Sequence, residues 1–345
     1  MVGFCHFFYF FLALLQQFSI FLLFLRIKPI INPNNNLKTN SYMNLDGRRE
    51  SSNVEDRRGS RGNGTKLGIG GGMGAILALV LTMCMGGNGG IDLGSILGGL
   101  GDMGGMGMSQ QTTNTTEVDP TQFSEEEQEL AKFSRVIEGS TEDIWAQVFQ
   151  NNGYGQYTPP TLVLYTGSTS TACGQGSAAV GPFYCSGDQK LYIDLSFFST
   201  MQQTLGASGD LAYAYVIAHE VGHHIEYLTG ILDKAHQEMS RYGSNSAQAN
   251  EISVRLELLA DFYAGVWAHY EKKEFGSIND KDLRDAINCA HQIGDDYLQK
   301  NARGYAVPES FTHGTSEQRM RWFKKGYETG DMRQGNTFQV PYSSL

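Results

Sequence analysis

The pattern H-E-x-x-H, carried by His219, Glu220 and His223, combines two imidazoles and a carboxylate at a spacing that suits metal chemistry. On an α-helix, residues four apart lie on one face, so His219 and His223 can offer ring nitrogens to one metal ion. Glu220 leaves the same turn, where it can accept a proton from a water that the metal activates. The pattern predicts a catalytic zinc site, and a pair of solvated histidines beside a surface glutamate is the alternative.

This chemistry requires that the motif lie on a helix. Residues 211–218 contain neither Pro nor Gly, and core-type residues recur at three- and four-residue steps, namely Leu211, Tyr215, Ala218, Gly222 and Ile225. We expect Asp210 to cap this helix and Gly230 to end it. Gly222 lowers helix propensity but permits close approach of another element or of a substrate. The motif is therefore expected on a buried helix of about five turns.

A tetrahedral zinc site with one open position needs a third protein ligand. Glu257 and Asp261 are four residues apart in an apolar stretch that Asn245 or Ser246 can cap and that continues to about residue 270. Two carboxylates on a buried face are costly unless a positive partner meets them. We expect Glu257 to be the third ligand and Asp261 to accept the outer ring N–H of a ligand histidine. The alternative is ion pairing of both carboxylates with Arg255, Lys272 or Arg284.

H-E-x-x-H followed by E-x-x-A-D on the next long helix resembles the gluzincin class of metallopeptidases. Longer strings are similar to one bacterial family, the neutral zinc metallopeptidases anchored by one membrane helix. These strings lie at residues 47–59, 171–174, 180–185 and 193–198 and at the metal motif. The similarity runs from about Met43 to the C-terminus. It implies a peptidase with one Zn²⁺ per chain and a peptide or protein substrate, and it identifies no physiological substrate.

His313 resembles the histidine of the H-G motif near the end of that family. Most of its surroundings have a structural explanation, because Thr315 and Gln318 form a capping box. His313 is not explained by the cap, and we expect it to stabilise the oxyanion of the reaction, with an ordinary loop histidine as the alternative. His224 points about 100° away from the metal face and is expected to orient or pack.

Strand patterns come first in residues 118–345 and helix patterns follow. Ser124 caps one predicted helix, residues 141–150 form another, and residues 281–300 form a third. Short strands are predicted at residues 162–165, 179–184 and 191–194. This order predicts an α+β fold, a zincin-like metallopeptidase domain with a small sheet, an active-site helix and a helical C-terminal half.

Four segments precede that domain. Residues 1–42 are an apolar extension, which is either an upstream stretch added by an early start codon or a further membrane segment. Residues 43–66 are basic, residues 67–86 are uncharged and long enough to span a bilayer, and residues 87–117 are a Gly/Met-rich and polar linker. A buried core helix is the alternative for 67–86. Its G-x-x-x-G repeats allow a homodimer through this helix.

Charge predicts the orientation of that span. Residues 1–66 carry a formal +5 and residues 67–345 carry −15, and no Lys or Arg occurs between Lys66 and Lys132. The positive-inside rule then places residues 43–66 in the cytoplasm and the catalytic domain outside it, periplasmic or extracellular. The acidic domain also lacks the basic patches of a nucleic-acid-binding protein.

Cys173 and Cys185 lie 12 residues apart in a Gly-rich region and can form a disulfide in an oxidising compartment, or remain two buried thiols. The sequence as a whole favours a membrane-anchored zinc metallopeptidase. The alternative is a non-catalytic, membrane-tethered scaffold or interaction module with a structural zinc site, closed by Cys289 or His224 as fourth ligand.

Overall fold

The computed structural model describes residues 43–59, 122–177, 181–205, 209–243 and 246–345. The predicted membrane helix at 67–86, the N-terminal extension 1–42 and the linker 87–117 lie outside the described residues. Within the described ranges, no helix is both long enough and apolar enough to cross a membrane. Helices and small sheets together form a mixed α+β structure, as the sequence predicts.

A four-stranded mixed sheet has the order β1-β2-β6-β5. Its strands are β1 (Val54–Asp56), β2 (Thr161–Tyr165), β5 (Phe183–Cys185) and β6 (Lys190–Asp194). The first two and β6 run parallel, and β5 pairs antiparallel with β6 at the edge. A separate hairpin joins β3 (Ser168–Thr171) to β4 (Gly174–Ser177). Leu162, Val163 and Leu164 are completely buried, as expected for a strand covered on both faces.

Eight α-helices are found among the described residues: α1 (Glu125–Asn151), α2 (Ser196–Thr200), α3 (Asp210–Leu228), α4 (Ile231–Tyr242), α5 (Ala247–Tyr270), α6 (Asp280–Gln292), α7 (Asp295–Arg303) and α8 (Ser316–Thr329). Single π-helical turns follow α2 and α5, at Met201–Leu205 and Glu271–Phe275. Short 3₁₀ turns occur at Pro308–Ser310, Met332–Gln334 and Tyr342–Ser344. Ser124, Ser246 and Thr315 cap their helices as predicted.

Helix α5 lies at the centre of the helical half and packs against α3 and α8. Glycines permit both contacts. A Cβ placed on Gly222 of α3 would lie 2.9 Å from the Ala260 Cα of α5, so any larger residue would push these two helices apart. Gly265 of α5 and Gly326 of α8 similarly face the backbone of the opposite helix. The glycine in the H-E-x-x-H motif therefore permits close approach of another helix.

Residues 43–59, which we call the N-terminal strap, are part of this domain. Strand β1 pairs with β2 from Val54↔Leu162 to Asp56↔Leu164, and Met43 is 2% exposed in the main core. From sequence, these residues are predicted to lie across a membrane from a domain that begins at residue 118. The strap was missed because its strand pairs with a partner more than 100 residues away, which no local pattern reveals.

Three helix boundaries also differ from the predictions. A single helix, α1, replaces the two predicted at its ends, because residues 134–141 continue along a buried face. The predicted helix at 281–300 is broken into α6 and α7 at Gly294, where a Cβ would lie only 2.3 Å from the backbone nitrogen of Ser316. Gly209 caps α3, so Asp210 is its first residue and not its cap.

Candidate metal centre

His219, His223 and Glu257 come together where α3 and α5 touch. Each offers one ligand atom, and the three atoms lie within 4.8 Å of one another. Glu257 Oε2 is 3.2 Å from His219 Nε2, and Glu257 Oε1 is 3.7 Å from His223 Nε2. The two imidazole rings are nearly perpendicular, at 85°. Among the described residues this is the cluster of histidines and acidic side chains whose geometry could hold a metal ion.

The outer nitrogens of both histidines face buried carboxylates. His219 Nδ1 is 2.9 Å from Asp261 Oδ1, and His223 Nδ1 is 2.9 Å from Glu226 Oε2. A carboxylate at this position accepts the Nδ1 proton, which leaves Nε2 with a lone pair on the side of Glu257. Both rings are thereby held in the tautomer that a metal ligand needs.

Asp261 is itself held by Arg319 from α8. The guanidinium donates from Nε to Oδ2 at 2.8 Å and from Nη2 to Oδ1 at 2.9 Å, in a bidentate pair. The Tyr215 hydroxyl also donates to Oδ1. Burial alone would raise the pKa of Asp261, but Arg319 and His219 outweigh burial and lower it to about 2. Asp261 is therefore a carboxylate at every physiological pH.

The charges around the cluster suit a cation. Four carboxyl groups lie around the two rings, those of Glu220, Glu226, Glu257 and Asp261. Arg319 forms an ion pair with Asp261. Burial lowers the pKa of His223, but Glu226 and Glu257 outweigh burial and raise it to about 10. Negative charge around the rings favours a cation at this position. Two imidazoles, each oriented by a buried carboxylate, and the Glu257 carboxylate form a donor set that fits Zn²⁺.

Glu220 follows the first ligand and lies against the edge strand β5. Burial raises the pKa of Glu220 above its ordinary value, although both motif histidines oppose this shift. The backbone amide of Tyr184 in β5 also opposes the rise in the pKa of this carboxyl group. A carboxylate whose basicity is raised, next to a metal site, is suited to accept a proton.

His313 lies on the loop before α8, and the negative charges of Glu257 and Asp295 raise its pKa. Asp295, at the start of α7, holds this loop. Its Oδ2 accepts hydrogen bonds from the backbone amides of Thr312 at 2.8 Å, His313 at 2.7 Å and Gly314 at 3.1 Å. Its Oδ1 lies 3.4 Å from His313 Nδ1. The imidazole remains 36% exposed, so a bound substrate could reach it.

The other predicted residues lie outside the cluster. His224 faces away, with Nδ1 2.9 Å from the Tyr184 hydroxyl and Nε2 2.7 Å from the Thr158 carbonyl, and burial lowers its pKa to about 4. Cys289 is buried beside Met201. Neither residue belongs to the group of ligand atoms described above. Cys173 and Cys185 are joined by a disulfide with an S–S distance of 2.02 Å.

Three residues contact the site although the sequence did not predict this, namely Tyr215, Glu226 and Arg319. Glu226 is three residues after His223 on an apolar helix, a spacing that could have revealed it. The ion-pair alternative named the wrong cations. Lys272 pairs with Asp280, and Arg255 donates to backbone carbonyls of the C-terminal segment, so Arg319 is the arginine beside both carboxylates.

Comparison with known proteins agrees with this donor set. The model of a family described as "Putative neutral zinc metallopeptidase" matches residues 43–338. The chain belongs to this family. The match includes the N-terminal strap as well as both helices of the metal centre.

Two proteins similar in sequence to this chain have names that state no function. "Uncharacterized protein YpfJ" of Escherichia coli (strain K12) is 46% identical over 300 residues, which cover 86% of this chain and 99% of the relative. "Uncharacterized protein Mb2605" of Mycobacterium bovis is 42% identical over 194 residues, which cover 53% of this chain and 64% of the relative. No solved structure matches the chain.

Proposed function

We propose that this protein is a zinc-dependent metallopeptidase that hydrolyses peptide bonds with an activated water. The observation that carries the proposal is the convergence of His219, His223 and Glu257 within 4.8 Å, with Glu220 in the same helical turn. Membership of the family supports the same chemistry. We also propose that the small sheet and the motif helix belong to a zincin-like domain.

His219, His223 and Glu257 would hold one zinc ion through two Nε2 atoms and a carboxylate oxygen. When bound, zinc supplies Lewis-acid chemistry, which polarises a carbonyl and acidifies water. Asp261 and Glu226 hold the two rings in place from behind, and Arg319 keeps Asp261 ionised. These residues position the ligands without touching the substrate.

Glu220 and His313 act on the reacting groups. Glu220 accepts the proton of the attacking water and later delivers it to the leaving amine. His313, held by Asp295, donates its Nε2–H toward the carbonyl oxygen as negative charge develops there. Nδ1 of His313 faces Asp295 and Thr312 Oγ1, so the remaining ring nitrogen is the one available to a substrate.

Substitution of Glu220 tests the reaction directly. Glu220→Gln in the full chain should retain one zinc per chain and an unchanged thermal unfolding midpoint, and peptide cleavage should fall by at least about 10²-fold. Glu251→Gln is the matched control, because Glu251 is an exposed glutamate on the ligand helix α5. Equal cleavage rates in Glu220→Gln and wild type would refute the mechanism.

The scaffold alternative predicts a closed zinc site with a fourth protein ligand. His224 and Cys289 were the candidates, and both are engaged elsewhere. If His224→Ala or Cys289→Ser lowered zinc occupancy as strongly as His219→Ala does, a structural zinc site would replace the catalytic one.

We also propose that the enzyme works at a membrane, with its catalytic domain outside the cytoplasm. The uncharged stretch at 67–86 and the Cys173–Cys185 disulfide support this location, because disulfides persist in oxidising compartments. Alkylation of both cysteines in cells without prior reduction would contradict the disulfide and remove this support for the extracytoplasmic location. The homodimer through G-x-x-x-G repeats stays a prediction, since those residues lie outside the described ranges.

A further inference from the structure

The chain leaves the N-terminal strap and re-enters the domain at the same corner. A Cβ built on Gly59 would lie 3.4 Å from the Phe123 ring and 3.7 Å from Gln122 Oε1. The Arg58 guanidinium stacks 4.3 Å from the centre of the Phe123 ring. Arg58 Nη1 also donates to the Glu127 carbonyl at 3.4 Å. The 62 residues between Gly59 and Gln122 therefore start and end side by side.

The strap belongs to the same sheet as the residues that follow this stretch. Leu162 N–H donates to the Asn53 carbonyl at 3.1 Å, and Arg57 N–H donates to the Leu164 carbonyl at 2.7 Å. Strand β2 lies between β1 and β6, so removal of the strap would expose a completely buried, apolar strand along one whole edge. Such an edge is a site for aggregation.

Buried polar contacts also require the strap. Glu271, just after the ligand helix α5, is completely buried, and Arg48 of the strap lies 2.5 Å from its Oε1. Within the strap, Ser51 is buried and donates to Glu142 of α1 at 2.6 Å. Loss of Arg48 would leave the Glu271 carboxylate buried without its cation.

These contacts weaken the charge argument for a single crossing. Residues 48–66 contain six Lys/Arg, and four of them form ion pairs in the folded domain, two with residues outside the strap and two within it. Arg48 pairs with Glu271, Arg49 with Glu142 and Asp143, Arg57 with Glu55, and Arg58 with Asp56. Folding explains why these arginines are present, so they need not mark a cytoplasmic flank.

Resting on the membrane location proposed above, we propose that the N-terminal strap and residues 122–345 lie on the same side of that membrane, because Arg58 and Phe123 are in contact. A bilayer core about 30 Å thick cannot separate atoms that are in contact. The single crossing that charge predicts would put these contacting residues on opposite sides of the bilayer.

A labelling experiment on the full chain distinguishes the two topologies. Cys5 and Cys84 are replaced by Ser, and one cysteine is introduced at exposed Asp46 (Asp46→Cys) or at exposed Lys324 (Lys324→Cys). A membrane-impermeant maleimide is applied to intact cells, spheroplasts and lysates. The proposal requires both positions to label in the same preparation. Labelling of one position before lysis and the other only after lysis would overturn it.

A cross-linking experiment tests the contact itself. Glu50 of the strap and Arg135 of α1 form an ion pair at 3.0 Å, and both are partly exposed. In membranes, a short bismaleimide should link the two cysteines of the Glu50→Cys/Arg135→Cys variant. After proteolysis, mass spectrometry should detect the cross-linked pair of peptides. The two single variants are controls. Absence of the cross-link in protein that still binds zinc and unfolds cooperatively would overturn the proposal. Neither experiment measures hydrolysis, so both results stand even if the protein proves to have no peptidase activity.

Discussion

Two buried arginine–carboxylate pairs lie along one continuous helical segment, one at its middle and one near its C-terminal end, and their carboxylates have different further partners. Arg319 holds Asp261 in the middle of α5, and Arg48 holds Glu271 in the π-helical turn directly after α5. Both carboxylates are completely buried. The first pair connects α8 to the metal centre, and the second connects the N-terminal strap to the rest of the domain.

The two pairs differ in the other donors that hydrogen-bond to each carboxylate. Asp261 uses Oδ1 for the ring N–H of His219 as well as for Arg319 and the Tyr215 hydroxyl. Glu271 accepts from the hydroxyls of Ser140 and Ser277. The same kind of ion pair therefore holds a candidate metal ligand in one place and joins chain segments in the other. The difference lies in the third group that each carboxylate contacts, a histidine ring or serine hydroxyls.

Glu138 of α1 provides a contrast to both pairs. It is completely buried, and no ion pair involves it among the residues that the structure describes. Burial raises its pKa to about 8, the nearby Glu142 adds to this shift, and Thr141 opposes it. A buried carboxyl without a cation thus remains protonated at neutral pH, whereas Asp261 remains ionised.

Removal of Arg319 should have the largest effect. Arg319→Met leaves the Asp261 carboxylate buried without its cation, and this should lower the free energy of unfolding by about 3–5 kcal/mol. Zinc binding should fall as well, because His219 loses a fixed acceptor. Urea denaturation followed by zinc titration would measure both. If the variant unfolds at a lower urea concentration but binds zinc as tightly as wild type, Arg319 has no role in zinc binding.

Removal of Arg48 should have a somewhat smaller effect and spare the metal. Arg48 is 14% exposed, so solvent can compensate part of the lost pair, and Arg48→Met should cost about 2–4 kcal/mol of unfolding free energy. Zinc affinity of the folded protein should not change. Arg241→Met is the matched control, since Arg241 is 70% exposed in its ion pair and should have almost no effect. Lower zinc affinity in Arg48→Met would mean that the two pairs are coupled along α5.

Glu138 should make stability depend on pH. The pKa of Glu138 is raised from an ordinary 4.5 to about 8, so the unfolded chain ionises at lower pH than the folded protein does. Stability conferred by the protonated carboxyl is therefore complete below about pH 4.5 and is lost as the pH rises toward 8. Relative to wild type, Glu138→Gln should gain roughly 2–3 kcal/mol between pH 5 and pH 8. Parallel stability curves for the two proteins across this range would contradict the prediction.

The smallest expected effect sharpens the comparison most. Asp261→Asn retains the shape of the side chain and removes its charge, and zinc affinity should fall by about 10–100-fold. Glu271→Gln makes the same chemical change in the other pair and should leave zinc affinity unaltered. Competition with a chromophoric chelator would measure both affinities. Equal losses in the two variants would show a general loss of folding and would refute a specific role for Asp261 in orienting His219.

Local patterns predicted much of the helical half. The H-E-x-x-H spacing, the i, i+4 pair at Glu257 and Asp261, and the caps at Ser124, Ser246 and Thr315 all depend on residues within one or two turns. Their geometry follows from the helix itself, so a sequence is enough to infer it. The structure places the outer nitrogen of His219 on Asp261, and the role of this contact in zinc binding stays a prediction.

Contacts between distant segments were not predictable in this way. Arg319 is 58 residues from Asp261, Arg48 is 223 residues from Glu271, and β1 pairs with a strand more than 100 residues away. No local period links such residues. Charge alone therefore predicted a cytoplasmic flank at the strap, although its four arginines form ion pairs in the folded domain.

The sequence by itself determined the residue types of the metal centre and the helices that carry them, because helical periodicity converts spacing along the chain into position on one face. Only the tertiary structure decided which cation neutralises Asp261, that Glu226 stands behind His223, and that the N-terminal strap completes the sheet. These features depend on packing between segments far apart in the chain, where burial makes every unpaired charge and every exposed strand edge costly.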